Sequence, residues 1–251
     1  MNALEAVAVF GAGTAAGGIN AVVGSGSLFT FPVLIALGYP PVVANVSNNV
    51  GLVPGSAAGV FGYRRELDGQ RGRLIRLGVA SVLGSLLGGA LLLSVLKGAF
   101  DVIVPVLILI ALVLVIVQPR LNGWLAARRE KHHPHGGPWL WAGVFGAGVY
   151  GGYFGAAQGV VLIALLGIFL DDDLQRIVGT KNVLTGLVNA AAAVLFVAVA
   201  DVDWAVVALI AIGSTLGGLL GAAFGRRLPA AALRAFIVAV GLIAVGKLLL
   251  G

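Results

Sequence analysis

Two short stretches hold the residues best suited to recognition chemistry. One is Gly24-Ser25-Gly26-Ser27, and the other, Ala156-Ala157-Gln158-Gly159, stands at the matching place in the second half of the chain. Glycine lets a ligand approach the backbone, and the serines add hydroxyl donors. A short apolar run follows each tip, and as a helix it would aim the free N–H groups of its first turn, with their positive dipole end, at an anion. A glycine turn that serves only packing is the alternative reading of the first tip. Gln158 places one amide among apolar neighbours, which is costly unless it meets a partner or a ligand. The chemistry expected is binding rather than bond cleavage. An enzyme would need a nucleophile and a base, and no His or acidic residue falls inside an expected span near Ser25 or Ser47.

More polar residues gather just after each tip. Asn45, Ser47, Asn48 and Asn49 open the next segment, while Thr180, Lys181, Asn182, Thr185 and Asn189 lie along its counterpart, with Asn48 or Asn49 aligning to Asn182. Polar groups inside membrane spans usually face the bundle interior and mark a substrate path, although hydrogen bonding between helices accounts for any single one equally well. Lys181 either reaches the pocket or snorkels to the cytoplasmic interface. The expected substrate site is Gly24, Ser25, Gly26, Ser27, Asn48, Asn49, Gln158, Gly159, Lys181 and Asn182. Each helix end is equivalent to about half a charge, so two tips match a monoanion and a dianion would call on Lys181.

The elements that must position these groups are membrane spans. Hydrophobic residues make up 59% of the 251, charged residues only 10%, and the mean hydropathy is +1.05, far outside the soluble range. The chain has no cysteine, which removes disulfides, thiolate metal sites and cysteine catalysis together. Its start, with Glu5 where a signal peptide carries positive charge, reads as uncleaved. The net charge of +6 sits in loops between apolar segments, which fits anchoring at anionic lipid better than nucleic-acid binding.

The chain also repeats itself. Phe10 to Gly38 is echoed by Phe145 to Leu170: both open on Phe-Gly-Ala-Gly, and Gly17-Gly18 matches Gly151-Gly152. Each copy reads as a hairpin dipping into the membrane, because the arms Leu28 to Leu37 and Val160 to Leu170 would rise only about 15 to 17 Å, roughly half the hydrocarbon thickness. Spans are expected at Val42 to Tyr63, Leu74 to Leu96, Val102 to Val117, Ile177 to Ala200, Trp204 to Phe224 and Ala230 to Leu250, with a tight turn from Lys97 to Asp101 and a linker from Gln118 to Pro138. Placing loops 64–76, 118–137, 171–181 and 226–234 in the cytoplasm collects every Lys and Arg except Lys97 and Lys247 there. Corresponding loops then lie on opposite sides, so the fold class expected is all-α integral membrane with two inverted-topology repeats, each a hairpin plus three spans. The first repeat covers 1–117, the cytoplasmic linker 118–138 and the second repeat 139–251. Both termini fall outside. Gly84-Ser85-Leu86-Leu87-Gly88-Gly89 aligns with Gly213-Ser214-Thr215-Leu216-Gly217-Gly218, small-residue stripes read as packing that holds the halves together.

The residues above resemble the sulfite exporter TauE/SafE family of membrane transporters. The resemblance rests on the glycine-rich hairpin followed by Phe31-Pro32-Val33-Leu34 and Gly38, on Ala44-Asn45-Val46-Ser47-Asn48-Asn49, and on Gly152-Tyr153-Phe154-Gly155-Ala156-Ala157-Gln158-Gly159. It spans nearly the whole chain. Ala157 stands where the family often has glycine. The resemblance implies secondary transport, as a multi-pass protein of the inner (plasma) membrane, of sulfite, sulfonates or other small organic anions. The partners expected are a small anion, membrane lipid, a proton or sodium ion for coupling and a second copy of the chain, with no nucleic acid, cofactor or metal. A channel-like anion pathway and, more distantly, a cation or metal exporter are the alternatives. His132-His133-Pro134-His135 would be the metal-binding candidate, but it reads as a flexible loop. Asp171-Asp172-Asp173 reads as a solvated loop before a helix N-terminus.

Overall fold

The computed structural model describes residues 1–94, 99–127 and 136–224, with a few positions between 235 and 246. Every regular element among them is helical: α1 (Ala3–Val22), α2 (Ser27–Ala36), α3 (Pro41–Gly62), a 3-10 turn (Arg64–Leu67), α4 (Arg71–Ser94), α5 (Ala99–Ala127), α6 (Gly137–Tyr153), α7 (Gln158–Phe169), α8 (Leu174–Val199) and α9 (Trp204–Phe224). Four stretches are long and apolar enough to cross a membrane: Arg71–Ser94, Ile103–Arg120, Leu174–Val199 and Trp204–Phe224. The described residues are thus all-helical, consistent with an integral membrane protein.

Local chemistry sets the helix ends. Asn2 and Glu5 form a reciprocal capping box at the start of α1, satisfying donors the first turn leaves open. Pro41 opens α3, where a missing N–H costs nothing. Asp173 accepts from the Gln175 and Arg176 amides, so α8 begins at Leu174, a turn earlier than the apolar pattern suggested. α5 differs more. It starts at Ala99, inside the stretch read as a turn, and runs past Val117 to Ala127, into the stretch read as a linker. Pro119 lies inside the helix and does not end it. The histidine cluster, Lys97, the Arg226-Arg227 loop and most of the Ala230 to Leu250 segment lie outside the described residues.

The helices of each half pack crosswise on the other. α1 lies against α9, and α6 lies against α4. The glycine stripes make this possible. A Cβ placed on Gly84 would come within 2.9 Å of Val149 N, and one on Gly213 within 2.9 Å of Thr14 N; Gly88 faces Tyr153 N and Gly217 faces Gly18 N at the same 2.9 Å. Backbone meets backbone at equivalent places in both pairs, as small residues allow in lipid. The packing role expected of these stripes is what the structure shows.

Two loop clusters close the ends of the bundle. At one end Arg73 and Arg176 both pair with Asp172, the second at 3.0 Å, Arg176 Nη2 donates to Asp68 O at 3.2 Å, and Thr180 Oγ1 donates to Gln70 Oε1 at 2.9 Å. At another, Asp203 N donates to Ser47 Oγ at 2.9 Å. Burial first, then the neighbouring charge of Asp203, raises the Tyr39 phenol above its ordinary pKa.

Candidate functional site

Both expected hairpins are broken between two helices, and the breaks meet. α1 ends as Gly24 takes φ +85°, and α6 ends as Gly155 takes φ +77°. Gly159 N donates to Gly24 O at 2.9 Å across the two tips. A Cβ on Gly24 or Gly159 would collide with the other's backbone, so these glycines are required for the close approach. Ala157 caps α7 with φ +58°, a left-handed conformation that costs an alanine about 1–2 kcal/mol.

Ser25 is 1% exposed, and its Oγ is buried with no hydrogen-bond partner. It sits beside the N-terminus of α2, whose cap residue Gly26 supplies no side-chain bond. A buried hydroxyl left unmade normally costs about 1–3 kcal/mol. A donor placed at a positive helix end is what an anion would engage.

The remaining expected residues divide among different tasks. Gln158 folds back into its own hairpin, where Nε2 donates to Ala147 O at 3.1 Å and the amide packs over Gly151. Asn48 Oδ1 accepts from Thr30 Oγ1 of α2, fastening the first tip's short arm to α3. Asn49 turns to α8, with Nδ2 3.5 Å from Asn189 Oδ1, while its own Oδ1 is buried without a partner. Asn182 Nδ2 donates to Ala21 O at 3.1 Å.

Lys181 does not snorkel. It is 0% exposed, and Nζ donates to Asn20 O at 2.7 Å, Asn182 Oδ1 at 2.6 Å and, more weakly, Ala21 O at 3.5 Å. The cation therefore rests on the carbonyl end of α1, where the helix dipole favours positive charge. The interface reading fails because residue 181 lies more than a turn inside α8, facing α1 rather than the loops.

Several polar participants were not singled out in the sequence. Ser56 Oγ donates to Leu52 O at 3.0 Å and accepts from Asn189 at 3.2 Å and Asn20 at 3.5 Å. Together with Asn49 this makes a polar string across α1, α3 and α8. Thr30 is a further addition. Asn20 alone left a usable signal, being a single amide in the apolar run before the first tip.

Comparison with known proteins decides the family. A family model described as "Sulfite exporter TauE/SafE" matches residues 9–248. The chain belongs to this family. Similar members include a "Probable membrane transporter protein" of Haemophilus influenzae, 28% identical over 85% of this chain and 82% of its own length, and the "Probable membrane transporter protein YfcA" of Escherichia coli, 26% identical over 93% of this chain and 86% of its own length. No solved structure matches. As a TauE/SafE member the chain is a membrane transporter, and its two broken hairpins meet tip to tip.

Proposed function

We propose that the protein is a secondary transporter that exports small anions, sulfur-containing ones such as sulfite or sulfonates foremost, by alternating access around a midplane site. The site comprises the Gly24-Ser25-Gly26-Ser27 tip, Gln158-Gly159 of the opposing tip and Asn48 and Asn49 of α3, with Lys181 and Asn182 behind the first tip. One observation carries this reading: the buried Ser25 hydroxyl without a partner, at the start of a half-length helix whose tip touches the other tip. The equivalent glycine contacts of α4 on α6 and α9 on α1 support two repeats, 1–117 and 139–251, and the basic loops support an inverted topology in the inner membrane with 118–138 cytoplasmic and both termini outside.

The test is a transport screen in proteoliposomes with sulfite, sulfoacetate, taurine, sulfate and simple carboxylates, comparing the wild type with Ser25→Ala. A carrier gives saturable flux and exchange. Ser25→Ala removes no intramolecular bond, so folding should be unaffected, while the loss of a hydrogen bond to a charged ligand, about 1.5–3 kcal/mol, should weaken apparent affinity about tenfold or more. Flux without saturation would replace the carrier by a channel, and unchanged affinity in Ser25→Ala would remove the tip from the site.

A further inference from the structure

Among the described residues one basic side chain, Lys181, is fully buried. Its ammonium sits among three oxygens, Asn20 O, Ala21 O and Asn182 Oδ1, the kind of cradle a small cation would occupy. α8 packs on α1, α3, α4, α6, α7 and the 3-10 turn. The titratable side chains these carry are Glu5 on α1, Tyr63 where α3 passes into the turn, Arg71, Arg73 and Arg76 on α4, Tyr150 and Tyr153 on α6, and Arg64, Arg65 and Glu66 on the turn, followed by Asp68; α7 has none, and α8 itself carries Arg176. The ion pairs of Glu5 and Asp172 do not involve Lys181. Its charge is offset by the carbonyl end of α1 and one amide.

The second hairpin has a neutral counterpart. Asn45 Nδ2, from α3 of the first half, donates to Tyr153 O at the end of α6, at 3.0 Å. Each hairpin's first arm is thus held by the other half, one by an amide alone and one by an amide plus a cation.

We propose that Lys181 carries the coupling proton of the transport cycle, as a tethered cation that latches the first hairpin to α8 when protonated. This rests on the transport reading above. An ammonium has three donors and no acceptor, which matches the three oxygens. On release one N–H bond breaks, its electron pair stays on Nζ and the proton passes to water. The neutral amine then has two donors for three oxygens, and one carbonyl or amide oxygen faces a lone pair. That opposition loosens the end of α1, three residues from the Gly24 tip, and so links protonation to the position of the anion site. Lysines in such places change protonation readily, which suits them to proton carriage.

The experiment uses the full chain in proteoliposomes, with the anion of the screen above that gives the largest flux and enclosed pyranine to report internal pH. In the wild type a gradient of about one pH unit should drive about tenfold accumulation if one proton moves with each anion, with a matching pyranine signal. Lys181→Gln, which also removes a cation from behind the first tip, should slow exchange at equal pH but leave it measurable, while both the gradient response and the proton signal are lost. Lys181→Arg keeps a cation that does not release its proton and should lose them too; it decides the matter if the glutamine variant does not fold. Asn45→Ala should slow flux and keep the gradient response, which separates proton carriage from mere latching. Accumulation driven by pH in either Lys181 variant, or a wild type that ignores pH or answers a sodium gradient instead, overturns the proposal while leaving transport standing. A wild type that moves none of the anions removes the transport reading and this inference together.

Discussion

The crosswise glycine contacts make a sharp prediction about stability. In Gly217→Ala the new Cβ would fall 2.8 Å from Thr14 C and 2.9 Å from Gly18 N. Both are backbone atoms of α1 and have no rotamer to escape into, so α1 and α9 must separate until the contact reaches ordinary van der Waals distance. The nearest atom is the Thr14 carbonyl oxygen, so the interface must open by about 1 Å or more, which forfeits about half of each dispersion contact, about 0.1–0.2 kcal/mol apiece at full depth. Spread over a helix pair, that amounts to the 1–3 kcal/mol typical of overpacking. Alanine's better helix propensity returns up to about 1 kcal/mol, so the net loss should be about 1–2 kcal/mol. Gly11→Ala is the control, because it lies on the same α1 and a Cβ there meets nothing within 4 Å; it should be neutral or slightly stabilising. Gly88→Ala, in the equivalent α4–α6 contact, should cost about as much as Gly217→Ala, with Gly146→Ala as its open-space control. Equilibrium unfolding in mixed micelles measures all four. If Gly217→Ala and Gly11→Ala melt alike, α1 and α9 do not approach as described and the argument fails.

Other outcomes follow from the same geometry. Because the chain lacks cysteine, a single Cys at Gly69 should resist an impermeant thiol reagent in intact cells while one at Tyr39 reacts; labelling of position 69 from outside would reverse the proposed orientation. Ala157→Gly should raise the melting temperature, since relief of the φ +58° backbone is worth about 1 kcal/mol, and an unchanged melt would mean that residue 157 is not held left-handed. The Tyr39 pKa is raised from 10.0 on folding, so its contribution is complete below pH 10 and lost as pH climbs through the higher folded value. Tyr39→Phe should accordingly flatten the fall in stability above pH 10, and an identical alkaline limb in the variant would refute this.

The sequence by itself determined the class, the breaks and the packing faces. Apolar segments of membrane length, Gly24 and Gly155 interrupting them, and the stripes beginning at Gly84 and Gly213 are all local patterns, and lipid leaves backbone few alternatives to helix. What lay within short reach along the chain was therefore legible, although the capping by Asp173 that starts α8 at Leu174 was not read. Partner choice was not, because it depends on which helix lies opposite at a given depth. Gln158 turned onto Ala147 in its own hairpin, Asn48 onto Thr30 and Asn49 onto Asn189, whereas the sequence grouped the first three polar side chains into one pocket. Lys181 shows the difference most clearly. Spacing allowed either an interface or an interior place, and only the packing of α8 beside the end of α1 put its ammonium on the Asn20 carbonyl, because a charge committed to the interior must find oxygen atoms there.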